Sequence, residues 1–196
     1  MAAPTRGFTG RPRNPDANLP PGQYATDGFP VLSAGPTPHV PLPDWTFEID
    51  TGSATHQWTW EQLQALPQEN ITADIHCVTR WSKLGTAWRG VSLDTLFEEV
   101  ESEAEYAMVH SYGDYTTNLP LEDLLDGKAW LVHEFEGEAL PSAHGGPVRL
   151  LVPHLYFWKS AKWVSGIRMM DQDLPGFWEV NGYHIYGDPW REERYS

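Results

Sequence analysis

Apolar and polar residues alternate with a period of two along several short stretches, and each such stretch predicts a strand. Trp45-Thr46-Phe47-Glu48-Ile49-Asp50 reads as the first, turned by Thr51-Gly52. In the next, Ile71, Ala73, Ile75 and Cys77 fall on one face, and Thr72, Asp74 and His76 on the other. Beyond Cys77 the alternation gives way to Arg80, Trp81, Ser82, Lys83 and Gly85, which predicts a polar loop carrying one large aromatic. Residues 106–110, 129–135, 148–152 and 163–170 predict further strands, and Arg149 interrupts an otherwise apolar run in the third of these. Helical spacing is confined to short pieces. Trp60, Leu63 and Leu66 follow the capping-box pattern Thr59-Trp60-Glu61-Gln62 and stop at Pro67. Leu93, Leu96, Phe97 and Val100 follow a capping Ser92, and residues 120–125 read as a turn or two of helix before Asp126-Gly127. The stretch after Gly176 reads as irregular. Short strands interleaved with short helices predict an α+β domain with a mixed sheet.

Ten of the seventeen prolines lie before residue 45. Proline removes donors and fixes φ, so residues 1–44 form an arm rather than a helix or central strand. The arm is expected to dock on the domain of residues 45–196 through Phe29, Val31, Leu32, Val40 and Leu42, with a disordered tail over its first dozen residues. The 196 residues, 40% of them hydrophobic, suffice for one domain core. No membrane span is expected, because no run approaches the roughly 20 apolar residues needed to cross a bilayer. The first ten residues lack the apolar core of a secretory signal, and the single cysteine fits a reducing compartment, so a cytoplasmic location is expected. A net charge of −14 argues against a nucleic-acid partner. Only four of the thirteen basic residues are lysine, which suits a high-salt cytoplasm; an ordinary acidic surface is the plainer alternative.

Charge and cysteine usage turn attention to four local features. Cys77 stands at a predicted strand end, where a thiol can serve as ligand or nucleophile, or simply pack as a small hydrophobe. Gly145-Gly146 follow His144 and precede the strand of Arg149, and two glycines let backbone amides approach a ligand closely. Arg149 needs a partner inside its apolar strand, either an anionic ligand or one of the protein's own acids. Lys159-Ser160-Ala161-Lys162 predicts a helical turn whose exposed amides and ammonium groups bind an anion, or else a solvated basic turn between two tryptophans. His76, His110 and His133 admit a zinc site, but their spacing matches no zinc pattern. A hydrolase with Cys77 as nucleophile is a further alternative.

Taken together the motifs are specific. His76-Cys77-Val78-Thr79-Arg80-Trp81-Ser82, followed by Trp88-Arg89-Gly90-Val91, resembles the molybdenum-binding segment of the sulfite oxidase superfamily. The similarity is greatest to the small molybdopterin-dependent oxidoreductases related to the catalytic subunit of protein-methionine-sulfoxide reductase. It extends through residues 115–121, 145–150 and 159–162 to Gly187-Asp188-Pro189-Trp190-Arg191. The resemblance implies a sulfite-oxidase-type fold of mixed sheets and short helices, with a molybdenum–molybdopterin cofactor. It makes Cys77 the thiolate ligand of molybdenum, a soft ligand for that metal. Arg149 and Lys162 then hold the pterin phosphate, aided by the backbone amides of Ser160 and Ala161. His144 stands where those reductases carry a cofactor-binding asparagine, and Ser111 where they carry a threonine. Arg80 and Trp81 lie near the metal; Arg80 attracts an oxyanion or else contacts the cofactor or a carboxylate, and Tyr156 faces the substrate or simply packs. The implied activity is two-electron oxygen-atom transfer on a small oxyanion or a sulfur- or sulfoxide-type substrate, with electrons exchanged with a separate partner. A cofactor-free binding domain on the same scaffold remains the alternative from another class.

Overall fold

The computed structural model describes residues 18–196. The disordered tail expected over the first dozen residues lies outside the described ones. In chain order the elements begin with β1 (Tyr24–Ala25), β2 (Thr46–Asp50), β3 (Thr55–Thr59), α1 (Trp60–Ala65) and β4 (Glu69–His76). They continue with β5 (Trp81–Ser92), α2 (Leu93–Phe97), β6 (Tyr106–Ser111), β7 (Thr116–Pro120) and β8 (Trp130–Phe135). The last are β9 (Glu138–Ala139), β10 (Arg149–Leu151), β11 (Val164–Met170) and α3 (Phe177–Val180). A six-stranded sheet runs β1-β5-β8-β10, with β4 bonded to β5 and β9 to β8. A five-stranded sheet runs β3-β2-β11-β6-β7. Parallel pairs (β1 with β5, β2 with β11) stand among antiparallel ones, so both sheets are mixed, as the patterning predicts. Among the described residues no helix is long and apolar enough to cross a membrane.

Side-chain alternation divides the apolar residues between two clusters. Phe47 and Ile49 of β2, Val109 of β6 and Ile167 of β11 meet Val91 of β5, Leu131 of β8 and Leu150 of β10, so this cluster lies between the sheets. Val132 and Leu151 point the other way and join Ile75, Cys77, Trp81, Trp88 and Tyr156. Arg149 pairs with Val132 and lies two residues from Leu151, so the period of β10 places it on this second side, with Cys77.

The expected caps are present. Thr59 and Gln62 bond reciprocally at the start of α1, and Ser92 caps α2. The expected polar loop after Cys77 is not. β5 begins at Trp81 and runs antiparallel to β4, with Ser82 opposite His76 and Lys83 opposite Ile75. A bulge between Ala73 and Ile75, where the Gly85 amide donates to the Asp74 carboxylate, breaks the alternation that would have marked the strand. The helix expected over residues 120–125 shrinks to a 3₁₀ turn, Leu121–Asp123, after β7. The zinc reading finds no support: among the described residues no three His, Cys, Asp or Glu side chains gather to hold a metal ion. His76 instead bonds Ser82, and His133 bonds Gln68.

The lysine turn is the clearest departure. Lys159 is not exposed; it is fully buried and forms an ion pair of 2.6 Å with Glu179 of α3. Its ammonium also donates to Asn118 and to the Ile185 carbonyl, while Glu179 accepts from Thr117 and Trp158. This network ties α3 and β7 to the segment that carries Ser160 and Lys162. Lys159→Met should therefore destabilise the protein by about 3–5 kcal/mol, because it strands a buried carboxylate. Denaturant unfolding would measure it, and a loss below about 1 kcal/mol would contradict the network's role.

Candidate functional site

Cys77 follows directly on β4, in the four-residue reversal that leads into β5. The Arg80 amide donates to the Cys77 carbonyl and the Cys77 amide to the Trp81 carbonyl, each at 2.9 Å. Arg80 closes the reversal with φ of 79°. The Cys77 sulfur lies 3.1 Å from the Thr79 hydroxyl, and burial pushes its thiol pKa up against that contact and the nearby Arg194 charge.

Arg149 is 1% exposed and, among the described residues, meets no carboxylate. Its two terminal nitrogens donate to the carbonyls of His144 and Ser160 at 2.7 and 2.6 Å, its Nε has no partner, and its guanidinium sits 3.9 Å from the Phe157 ring centre. The ion pair with one of the protein's own acids, left open by the sequence, is absent among the described residues. Burial lowers the guanidinium pKa to about 9. Among the described residues Lys162 likewise donates only to carbonyls, Leu32 at 2.6 Å and Ala143 at 2.7 Å. Burial and then the Arg149 charge lower its ammonium to about 8. His144 is held down to about 4 by burial, then by Lys162 and Arg149, so its ring is uncharged at neutral pH.

The glycine pair serves a different purpose from the one expected. The amides of Gly145 and Gly146 donate to Ser142 and Pro141 within their own turn. Gly145 has φ of 109°, and a Cβ there would press on Lys162 at 3.0 Å; a Cβ at Gly146 would overlap the Leu140 carbonyl. The glycines let the turn pack against Lys162 and Leu140. The amides of Ser160 and Ala161 are also used internally, donating to Phe157 and Lys159, and the Ser160 hydroxyl accepts from Val152. All four amides thus have partners within the protein.

One cleft of about 380 Å³ brings most of the candidates together: Cys77, Trp81, His144, Arg149 and Lys162 all line it, as do Ser160 and Ala161. Arg80, Ser111 and Tyr156 do not. The Arg80 side chain is exposed, whereas Ser111 and Tyr156 are buried with hydroxyls that have no partner. Sequence reasoning missed the aromatic walls. Phe29 of the arm stacks on His144 at 3.8 Å, and Tyr115, Trp178 and Tyr183 line the cleft with it. The density of aromatics after Gly176 was the available signal, but nothing local says which of them turn inward.

The lowered Lys162 value gives a sign for pH dependence. Between about 8 and the ordinary lysine value, Lys162 binds fewer protons folded than unfolded, while the Arg149 guanidinium keeps its charge throughout. The cost of holding the Lys162 charge is fully present below pH 8 and is relieved as pH rises. Cofactor-free protein should become more stable from pH 7.5 to 9.5, while its affinity for pyrophosphate falls. Melts and titration calorimetry across that range would test both, and a parallel rise in affinity would contradict the assignment.

Comparison with known proteins gives the family. Residues 34–178 match the family described as oxidoreductase molybdopterin binding domain. An uncharacterized oxidoreductase of Bacillus subtilis, YuiH, is 41% identical over 196 residues, covering 96% of this chain and 98% of that one. A putative protein-methionine-sulfoxide reductase subunit of Azospira oryzae, YedZ1, is 31% identical over 138 residues; the match covers 69% of this chain but only 52% of that relative. Among solved structures, the sulfane dehydrogenase SoxCD of Paracoccus pantotrophus shares the fold, with a TM-score of 0.62 and 22% identity over 69% of this chain and 40% of its own. The chain belongs to the oxidoreductase molybdopterin-binding domain family, within the sulfite oxidase superfamily, and its cofactor is molybdopterin carrying molybdenum.

Proposed function

We propose that the cleft holds this cofactor with Cys77 as the thiolate ligand of molybdenum, and with Arg149 and Lys162 neutralising the pterin phosphate. The observation that carries the reading is charge without compensation. Two cations with lowered pKa values and no acid partner among the described residues line the same cleft as the protein's only cysteine. A bound phosphate would supply the missing countercharge, and the unpartnered Nε of Arg149 still offers a donor. The donor set fits as well: a soft sulfur for the metal, hard cations for the phosphate.

The cofactor supplies two-electron oxygen-atom transfer, here on a small oxyanion or a sulfur- or sulfoxide-type substrate. The protein's own residues bind, orient and exclude water. Burial keeps the Cys77 thiol protonated until it is used as a ligand, so binding releases a proton there. His144 and Phe29 present a flat, uncharged stack beside the two cations, and the Trp81 indole N–H, buried without a partner, is a donor available at the Cys77 side. Arg80, exposed in the reversal and outside the cleft lining, is assigned the role of drawing in an anionic substrate; Tyr156 and Ser111 are assigned supporting roles behind the cleft wall. The described part of the proposed arm, residues 18–44, supplies Phe29 and the Leu32 carbonyl to the site of the 45–196 domain. Electrons are exchanged with a separate partner, a view supported by the Azospira relative being named a subunit. The solitary cysteine supports a cytoplasmic place of work.

Metal and pterin analysis of material matured with the cofactor tests the proposal. About one molybdenum per chain with oxidised-pterin fluorescence is the expected result. Zinc, or neither metal nor pterin, would favour the hydrolase or the cofactor-free binding domain.

A further inference from the structure

Three backbone carbonyls of the reversal that carries Cys77 are held from distant parts of the chain. The Cys77 carbonyl accepts from Gln23 Nε2 at 3.0 Å, Val78 from Arg194 Nη1 at 2.7 Å, and Arg80 from the Tyr24 amide at 2.9 Å. Arg194 has no part in the function derived above, yet it is 5% exposed. Its other terminal nitrogen donates to the Pro21 carbonyl at 3.0 Å, its Nε lies 3.5 Å from Glu192, and its guanidinium sits 5.0 Å from the Tyr156 ring centre. Gly22 is shaped to this arrangement. Its φ is 72°, and a Cβ there would come within 2.9 Å of Glu192 Oε1 and 3.3 Å of Arg194 Nη2.

A buried guanidinium gives up much hydration, and here its terminal donors point at main-chain carbonyls rather than at a carboxylate. What it fixes is a reversal that is strained of itself: Arg80 has a positive φ without being glycine, a conformation that persists only where the surroundings over-determine it. Arg194 bonds the reversal directly at Val78. Through Pro21 it also docks the segment that brings Gln23 and Tyr24 to the carbonyls on either side. We propose that Arg194 is a positioning residue that fixes where the Cys77 sulfur meets the metal, with Gln23 as its auxiliary. This rests on Cys77 being the molybdenum ligand.

The test uses the full chain matured with its cofactor. Three variants, Arg194→Met, Arg194→Lys and Gln23→Met, are compared with wild type by molybdenum(V) paramagnetic resonance, molybdenum content and hydrogen exchange at the Arg80 amide. Arg194→Met should retain wild-type molybdenum content, show an altered resonance spectrum and exchange the Arg80 amide about tenfold faster. Arg194→Lys, which keeps the charge and one donor towards Val78, should return the spectrum most of the way to wild type. A spectrum in Arg194→Met that matches wild type overturns the proposal whatever the exchange rate does. Should Arg194→Met fail to fold, Gln23→Met decides: it removes a single bond to the Cys77 carbonyl, and an unaltered spectrum overturns the proposal. Cys77→Ser separates the two claims. If it loses the wild-type spectrum while Arg194→Met keeps it, the ligand assignment stands and the positioning role falls. If Cys77→Ser keeps the wild-type spectrum, the ligand assignment itself falls.

Discussion

Cys77→Ala is expected to abolish molybdenum-dependent turnover while leaving the protein folded. Both halves follow from where the side chain lies. Cys77 lines the cleft and is a small buried member of the second apolar cluster, 8% exposed, and the side-chain hydrogen bond of its sulfur is to the Thr79 hydroxyl. Losing one sulfur from such a position costs about 1 kcal/mol, at the low end for buried truncations. The backbone bonds of the reversal use main-chain atoms and survive the change. A thiolate ligand, by contrast, has no substitute here, because Cys77 is the protein's only cysteine. Turnover with a chemical reductant and a sulfoxide, measured beside a thermal melt, would show both. Wild-type turnover in a folded variant would contradict the ligand role.

Replacement of Arg149 by methionine is expected to have the largest effect on cofactor retention. Methionine keeps approximate bulk on β10 but removes a buried, charge-assisted donor, a loss that costs about 2–5 kcal/mol where the partner is ionic. Retention should fall by roughly 30-fold to a few thousand-fold, since each 1.4 kcal/mol is about tenfold. The His144 and Ser160 carbonyls lose their donor, which lowers stability, while a buried charge without an acid partner is also removed, which opposes that loss. The measurement that isolates binding is therefore the stabilisation conferred by pyrophosphate on cofactor-free protein: a clear rise in melting temperature for wild type and almost none for Arg149→Met. Equal shifts would contradict the phosphate-binding role.

The sequence discloses the site's chemistry better than its surroundings, for physical reasons. Cys77 and Arg149 break local patterns, a lone thiol where alternation stops and a cation inside an apolar strand, so both are conspicuous in one dimension. Lys159 looks equivalent to Lys162 by spacing, but its partner Glu179 lies far along the chain, and only the fold shows that one is buried in an ion pair while the other faces the cleft. The glycine pair reads in the sequence as room for a ligand, and the close neighbours that the fold gives it are Lys162 and Leu140. β5 was misread because its pairing with β4 contains a bulge, and β3 was missed because Thr55-His56-Gln57-Trp58-Thr59 is mostly polar. The stacking of Phe29 on His144 joins residues more than a hundred positions apart and has no local signature.

The whole account depends on a bond between the Cys77 sulfur and molybdenum. X-ray absorption at the molybdenum edge, on cofactor-matured wild type and on Cys77→Ser, measures the metal's sulfur neighbours directly. The account predicts one sulfur fewer in the variant than in the wild type; an identical sulfur shell in both would contradict it.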